Sequence, residues 1–282
     1  VFVPFYLMKV DHFSFARLAD AAGAKGVSLS LVPNKTWWEP FKILNVVLGW
    51  GLGYFGLPHI ITKFMGIKKV SDMRKAQIVG MTWQAITMAA VIWIGFLGIA
   101  YFSNGLNNPE LVFIDMVKGT FHPLLSGFIL CAIFAATIST MDSQILVLAS
   151  TLSEDFYHRL INKRATSEQI VKASRISIFL VSAIAYVIAF FKIDTIYKLV
   201  EYAWSGLGSS FGPVLLFALY SKKTSKGAAW AGIIVGGGIS AFWPLIDKYL
   251  QTGILPIIPG FFLSTLAIWI GNEYSHHKRR QH

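Results

Sequence analysis

Seven stretches of this sequence, at 40–64, 77–102, 123–150, 173–191, 196–220, 228–247 and 252–272, each run for 19 residues or more with at most two Lys, Arg, Asp or Glu. A helix needs about 20 residues to cross the hydrocarbon core of a bilayer. Inside lipid every backbone N–H and C=O must be paired within the protein, which leaves only helices and closed barrels. No strand-length alternation runs along the seven stretches, which argues against a barrel. The chain is therefore read as an all-α polytopic membrane protein. Composition agrees: 55% of residues are hydrophobic and 14% charged, against about 25% charged in soluble domains. Disorder, collagen, a coiled coil and a disulfide-stapled domain are excluded on the same grounds. The single cysteine, Cys131, lies in an apolar run and forms no intrachain disulfide.

The net charge of +11 would point to nucleic acid in a soluble protein. Here its distribution gives another meaning. Lys63, Lys68, Lys69, Arg74 and Lys75 fall in one loop, and Arg159, Lys163, Arg164, Lys172 and Arg175 in the 151–175 connection. Lys222, Lys223 and Lys226 fall in a third, and Lys278, Arg279 and Arg280 in the tail. The alternate loops are balanced by acids such as Asp11, Asp20, Glu110, Asp115 and Asp194. Basic loops stay on the cytoplasmic side, so the pattern sets the chain in the cytoplasmic membrane with its C-terminus inside. No nucleic-acid partner is expected.

Residues 1–10 open on an apolar stretch too short to span, read as the end of a truncated transmembrane helix in a longer protein. An extracellular loop is expected over 11–39, closed by Trp37 and Trp38 as an interfacial aromatic belt. A helix is expected to run out of its span into the cytoplasm over 151–165. In the basic tail 273–282, His276 and His277 are read as part of a solvated tail rather than a metal site.

Three segments carry polar chemistry. The first, Gly49-Trp50-Gly51-Leu52-Gly53-Tyr54-Phe55-Gly56-Leu57-Pro58-His59, interrupts a span with glycines, a proline and large aromatics. Loosened backbone in lipid is tolerated where it is buried or lines a wet cavity, and broken helices form the midplane sites of secondary transporters. The alternative is close helix packing through the small residues.

The second segment lies in span 123–150. Thr137, Ser139, Thr140, Asp142, Ser143 and Gln144 crowd into eight residues. Positions i, i+3 and i+4 share a helix face, so the Ala136 carbonyl and the Ser139 and Thr140 hydroxyls can converge on one hard cation such as sodium. The alternative is that these hydroxyls bond back to the i−4 carbonyl. Asp142 is an ionisable group in or near the membrane. It is open to three roles: ligand of a second ion, proton carrier or interfacial charge.

The third segment, from Tyr202 to Pro213, interrupts a span with glycines and small hydroxyls and is read as a helix-packing face. Nothing resembles a nucleophile elbow, a phosphate loop or a metal-spaced cluster, so no enzyme is expected.

The stretches GWGLGYFGLPHIITKFMGIK, AATISTMDSQILVLASTLSEDFYHRL and EYAWSGLGSSFGPVLLFALYSKK, in this order and spacing, resemble the sodium:solute symporter family, and within it the sodium/proline symporters. The resemblance runs from about residue 40 to about 245. It implies a LeuT-like inverted-repeat fold, of which this chain holds the second repeat plus trailing helices. Residues 1–10 would end core helix five, 40–220 would be core helices six to ten, and 221–272 two additional spans. The connection before Gly227 looks one residue shorter than the family's usual turn.

The resemblance also implies roles. Trp50, Tyr54 and Pro58 match substrate-binding positions. Ala136, Ser139 and Thr140 match the core-helix-eight half of a sodium site, whose other half comes from core helix one. Asp142 and Ser143 match an additional sodium site of some relatives. The expected activity is sodium-coupled symport of L-proline by alternating access, with sodium as the co-transported ion and no organic cofactor. The alternatives are a sodium symporter for pantothenate, a sugar or a monocarboxylate, or a transporter-like membrane sensor.

Overall fold

The computed structural model describes residues 2–10, 14–30, 39–102, 104–221 and 224–280; the expectations on Trp37, Trp38, Asp11, Lys222 and Lys223, and on the side chains of His276, His277 and the three basic residues after them, lie outside what it describes. Every regular element among the described residues is helical. The chain divides into two compact units, Val1–Pro33 with Gly66–Ile170 and Asn34–Met65 with Val171–His282.

In the first unit, α1 (Phe2–Val10), α2 (Phe15–Ala24), α5 (Met73–Tyr101), α6 (Val112–Thr120) and α7 (Pro123–Ser150) are the helices. Its apolar centre is Val3, Leu7, Leu97, Met116, Val117 and Phe121, contributed by α1, α5, α6 and the residue after α6. Tyr6 of α1 stacks on Phe121 with ring centroids 4.7 Å apart. The turn into α7 is closed by Ser126, whose Oγ donates to the carbonyls of Val117 and Phe121, each at 3.1 Å. Pro123 starts α7, where a missing N–H costs nothing.

The stretch 11–39, expected as a loop, contains α2. Ser14 caps it by accepting from the Arg17 N–H at 3.1 Å. Just beyond α2, the Lys25 ammonium donates to the carbonyls of Ile99, at 2.8 Å, and Phe102. These are end-of-helix carbonyls of α5, which lack intrahelical donors and favour a cation. Beyond α7 the chain continues without a break as a π-helix, Thr151–Ile161, so the expected extension of this span forms with a wider turn.

In the second unit, α3 (Glu39–Gly53), a 3₁₀ turn (Tyr54–Gly56), α4 (Pro58–Met65), α9 (Ile196–Tyr220), α10 (Lys226–Leu250) and α11 (Ile257–Arg280) assemble. Helices α9, α10 and α11 pack against one another, and α3 with its 3₁₀ turn packs on α9. The seams are polar and narrow. The Ser264 hydroxyl donates to the Gly232 carbonyl at 2.9 Å, and Ser209 donates to Ile257 O at 3.3 Å. Asn272 Oδ1 accepts from the Ser225 N–H at 2.9 Å. At Gly236 a Cβ would stand 2.7 Å from the Ser209 backbone carbon, so only glycine permits α10 to approach α9 this closely. The third segment is therefore a packing face, with Ser205, Gly208, Ser209, Ser210, Gly212 and Pro213 buried.

Among the described residues, four helical stretches are long and apolar enough to cross a membrane: Val70–Tyr101, Pro123–Ile161, Ser167–Phe191 (whose helix is α8) and Lys226–Leu250. The pair Glu39–Gly56 and Pro58–Met65, bent by 57°, makes a fifth if it is one span. The expected spans 196–220 and 252–272 also form helices, α9 and α11, of 25 and 24 residues. They fall outside the apolar group, and both bury serines against neighbouring helices. Helix α11 begins at Ile257 and runs to Arg280, so the expected tail is largely a helical extension.

Candidate functional site

The first candidate segment is a broken helix. Helix α3 stops at Gly53, one 3₁₀ turn follows, Leu57 is extended at φ −96° and ψ 106°, and α4 restarts at Pro58. Proline lacks the N–H that would continue the ladder and disfavours helical backbone at the residue before it. The break therefore falls where the sequence placed Pro58. It leaves the last carbonyls of α3 short of helical donors.

A side chain from α9 reaches the last turn before this break. Trp204 Nε1 donates to the Trp50 carbonyl at 3.2 Å. The same indole lies 5.4 Å from the Trp50 ring and stands edge-on to Tyr54 at 4.9 Å and 89°. Tyr197, also on α9, meets Trp50 at 5.9 Å. Trp50 is half-buried, and Tyr54 keeps 47% of its surface exposed. The structure thus brings Trp50 and Tyr54 together over one indole. Pro58 is exposed and opens the helix on the far side of the bend.

Small residues make this arrangement possible. A Cβ on Gly53 would overlap the Trp204 indole, and one on Gly56 would lie 2.6 Å from the Gly208 Cα. Asn45, buried in α3 about two turns before the break, holds the other end. Its Nδ2 donates to Gly253 O and its Oδ1 accepts from the Leu255 N–H, both at 3.0 Å. Sequence reasoning missed Asn45 and assigned Trp204 only to packing. A buried amide in a span was the available signal for the first; nothing local marks the second as a partner of residues 154 positions away.

The second candidate segment lies in α7, in the other unit. Here the back-bonding alternative is realised. The hydroxyls donate to the preceding turn: Thr137 to Ile133 O at 2.9 Å, Thr140 to Ala136 O at 3.1 Å, and Ser143 to Thr140 O at 2.7 Å. Back-bonding does not consume the oxygens. A hydroxyl that donates still has lone pairs, and a carbonyl that accepts once has another. Two oxygens on one hard cation stand roughly 3–3.6 Å apart, which the Ala136–Thr140 pair matches. Ala136, Ser139, Thr140 and Asp142 are exposed. Among the described residues Ser139 Oγ and the Asp142 carboxylate have no hydrogen-bond or ion-pair partner, and no group of three or more His, Cys, Asp or Glu could hold a metal ion.

Long apolar helices, one bent span with aromatics at its break, and serine-lined helix seams define a multi-pass membrane protein. Residues 11–236 match the model of the sodium:solute symporter family, and the chain belongs to that family. Its relatives include the osmoregulated proline transporter OpuE of Bacillus subtilis (strain 168), 41% identical over 80% of this chain and 47% of the relative. The high-affinity proline transporter PutP of the same organism is 40% identical over 81% of this chain and 49% of its own length. Sodium/proline symporter 2 of Staphylococcus saprophyticus is 39% identical over 86% and 50%. These relatives are named as transporters, not enzymes. The chain spans about half the length of the curated relatives it matches. No solved structure matches it.

Proposed function

We infer that this chain is the substrate- and ion-binding second half of a sodium-coupled symporter for L-proline. The observation that carries this reading is the bent span at Gly53–Pro58, with Trp50 and Tyr54 gathered at its break, in a family member whose relatives are named as proline transporters. Proline offers an apolar ring and a zwitterionic end. The aromatic faces suit the ring, and backbone groups freed at a helix break suit the charged end. Trp50, Tyr54 and Pro58 are the substrate residues in this reading.

The Ala136 carbonyl with the Ser139 and Thr140 hydroxyls supplies one half of the sodium shell. Asp142 and Ser143 supply an additional ion site. The fold is the LeuT-like inverted repeat: residues 1–10 end core helix five, 11–39 form the outer loop, 40–220 are core helices six to ten, 221–272 add two spans, and 273–282 is cytoplasmic. Sodium and proline bind from outside, the bundle rocks, and both are released inside. Coupling arises because the ligands bind the two states with different affinity. Inward movement of one charge adds about 2.3 kcal/mol per 100 mV of membrane potential.

The test is uptake of labelled proline by the complete gene product in liposomes, with an inward sodium gradient and then with potassium in its place. Sodium-dependent proline uptake is expected. Sodium-driven entry of another solute in place of proline moves the substrate. No sodium-driven entry across a panel of amino acids, pantothenate, sugars and monocarboxylates, in folded protein, makes the sensor the better reading.

A further inference from the structure

A tryptophan on a different helix from the substrate segment makes three separate contacts with it. Trp204 donates its indole N–H to the Trp50 carbonyl at 3.2 Å, meets the Trp50 ring at 5.4 Å, and stands edge-on to Tyr54 at 4.9 Å. We propose that Trp204 is a positioning residue for substrate: by capping the Trp50 carbonyl and bracing the Tyr54 ring, it sets the geometry of the broken segment in which substrate binds.

The physical argument starts from the break. A carbonyl oxygen has two lone pairs, and the Trp50 oxygen, in the last turn of α3 just before the break, takes the indole N–H from outside its own helix. In a low-dielectric surrounding an unpaired indole N–H is costly, which holds Trp204 to this acceptor. The indole N–H is donor-only and has one direction in which to point. Donating to Trp50 O therefore fixes the Trp204 ring, and the ring in turn limits the orientations open to Tyr54. An edge-to-face aromatic pair is favourable beyond its contact area.

Gly53 belongs to the same device. Of the segment's four glycines it is the one whose added Cβ would meet the indole first, and its bare backbone is what lets the ring approach. Serine or alanine on α9 in place of Trp204 would serve helix packing well. A large donor-bearing ring there has a use that packing alone does not demand.

The proposal rests on the reading that residues 49–58 take substrate, and the experiment separates the two. Proline transport kinetics are measured on the complete gene product in liposomes for Tyr54→Ala, Trp204→Phe, Gly53→Ala and the double variant Tyr54→Ala with Trp204→Phe. Trp204→Phe keeps an aromatic ring and deletes only the donor and the second ring. It is expected to raise the KM for proline by roughly three- to tenfold, the value of one hydrogen bond, with the sodium half-saturation at saturating proline unchanged. In the Tyr54→Ala background the same change is expected to add less than twofold, because the ring it positions is gone.

A lowered Vmax or a lowered amount of protein in the membrane, with KM unchanged, would mean a packing role and overturn the proposal. So would full additivity of the two changes. If Trp204→Phe does not reach the membrane, Gly53→Ala decides: it displaces the indole and is expected to raise KM in the same range, and an unchanged KM overturns the proposal. An unchanged KM in Tyr54→Ala overturns the substrate reading itself. A raised KM in Tyr54→Ala with a wild-type KM in Trp204→Phe overturns the proposal and leaves that reading standing.

Discussion

The Thr140 hydroxyl donates to the Ala136 carbonyl at 3.1 Å, so the two oxygens that sequence spacing directs at one point do meet, through a shared proton. Without an ion, that bond satisfies a polar group on an apolar helix. With an ion, the hydroxyl can rotate its hydrogen away and both oxygens can turn a lone pair to the cation. Thr140→Ala is therefore expected to raise the sodium concentration for half-maximal transport by about tenfold. Ser139→Ala is expected to act in the same direction. Substrate affinity at saturating sodium should change less. Equal losses of sodium and substrate affinity, at normal expression, would count against the ion-ligand role. The measurement is initial uptake rate against sodium concentration in proteoliposomes.

Tyr54→Ala removes a half-exposed ring that meets Trp204 and lies within the substrate segment. The lost aromatic contacts correspond to about 1 kcal/mol or somewhat more, so proline KM should rise by roughly fivefold to tenfold. Because the side chain contributes little to the buried interior, the amount of folded protein should hold. Comparable membrane levels on an immunoblot, with unchanged KM, would return the glycine-rich segment to a packing role.

Asn45→Leu tests the anchor of α3. The amide pairs the Gly253 carbonyl and the Leu255 N–H, and Leu cannot pair either. A buried backbone group left unpaired costs about 1–3 kcal/mol. The variant should lose about 2–4 kcal/mol of stability by the same reasoning, read as a lower Tm in detergent. Tm equal to wild type would show that water replaces the amide.

Lys25→Met keeps a long apolar stem and removes the ammonium that joins the end of α2 to the carbonyls of Ile99 and Phe102. A hydrogen bond to a charged group contributes about 1.5–3 kcal/mol. Amide hydrogen exchange over 15–24 should accelerate roughly tenfold or more if this bond holds α2 in place. Exchange at the wild-type rate would assign the holding to the buried contacts of Leu18 and Ala22 instead.

The relation between Gly53, Pro58 and the bend is legible in the residues themselves, because proline and glycine act on their own backbone. The spans are legible for the same kind of reason. Twenty apolar residues in a row have one stable arrangement in lipid whatever surrounds them. Boundaries are less so. Helix α11 begins five residues later than the apolar run and continues into the charged tail, because a helix end is set by capping and packing rather than by hydropathy. The stretch expected as a loop over 11–39 hides α2, whose ten residues are too short and too mixed to announce themselves.

Pattern and spacing thus determined that this chain is a multi-pass helical membrane protein, where its span breaks, and which hydroxyls of α7 share a face, since each follows from forces acting within one segment. Only the tertiary structure decided what meets the break. Trp204 caps Trp50 from α9, and Asn45 ties α3 to the turn before α11, across 154 and 208 residues of chain. Such pairings depend on how helices approach one another. That approach is set by small-residue contacts such as Gly53 on Trp204 and Gly236 on Ser209, and no local periodicity records which glycine faces which neighbour.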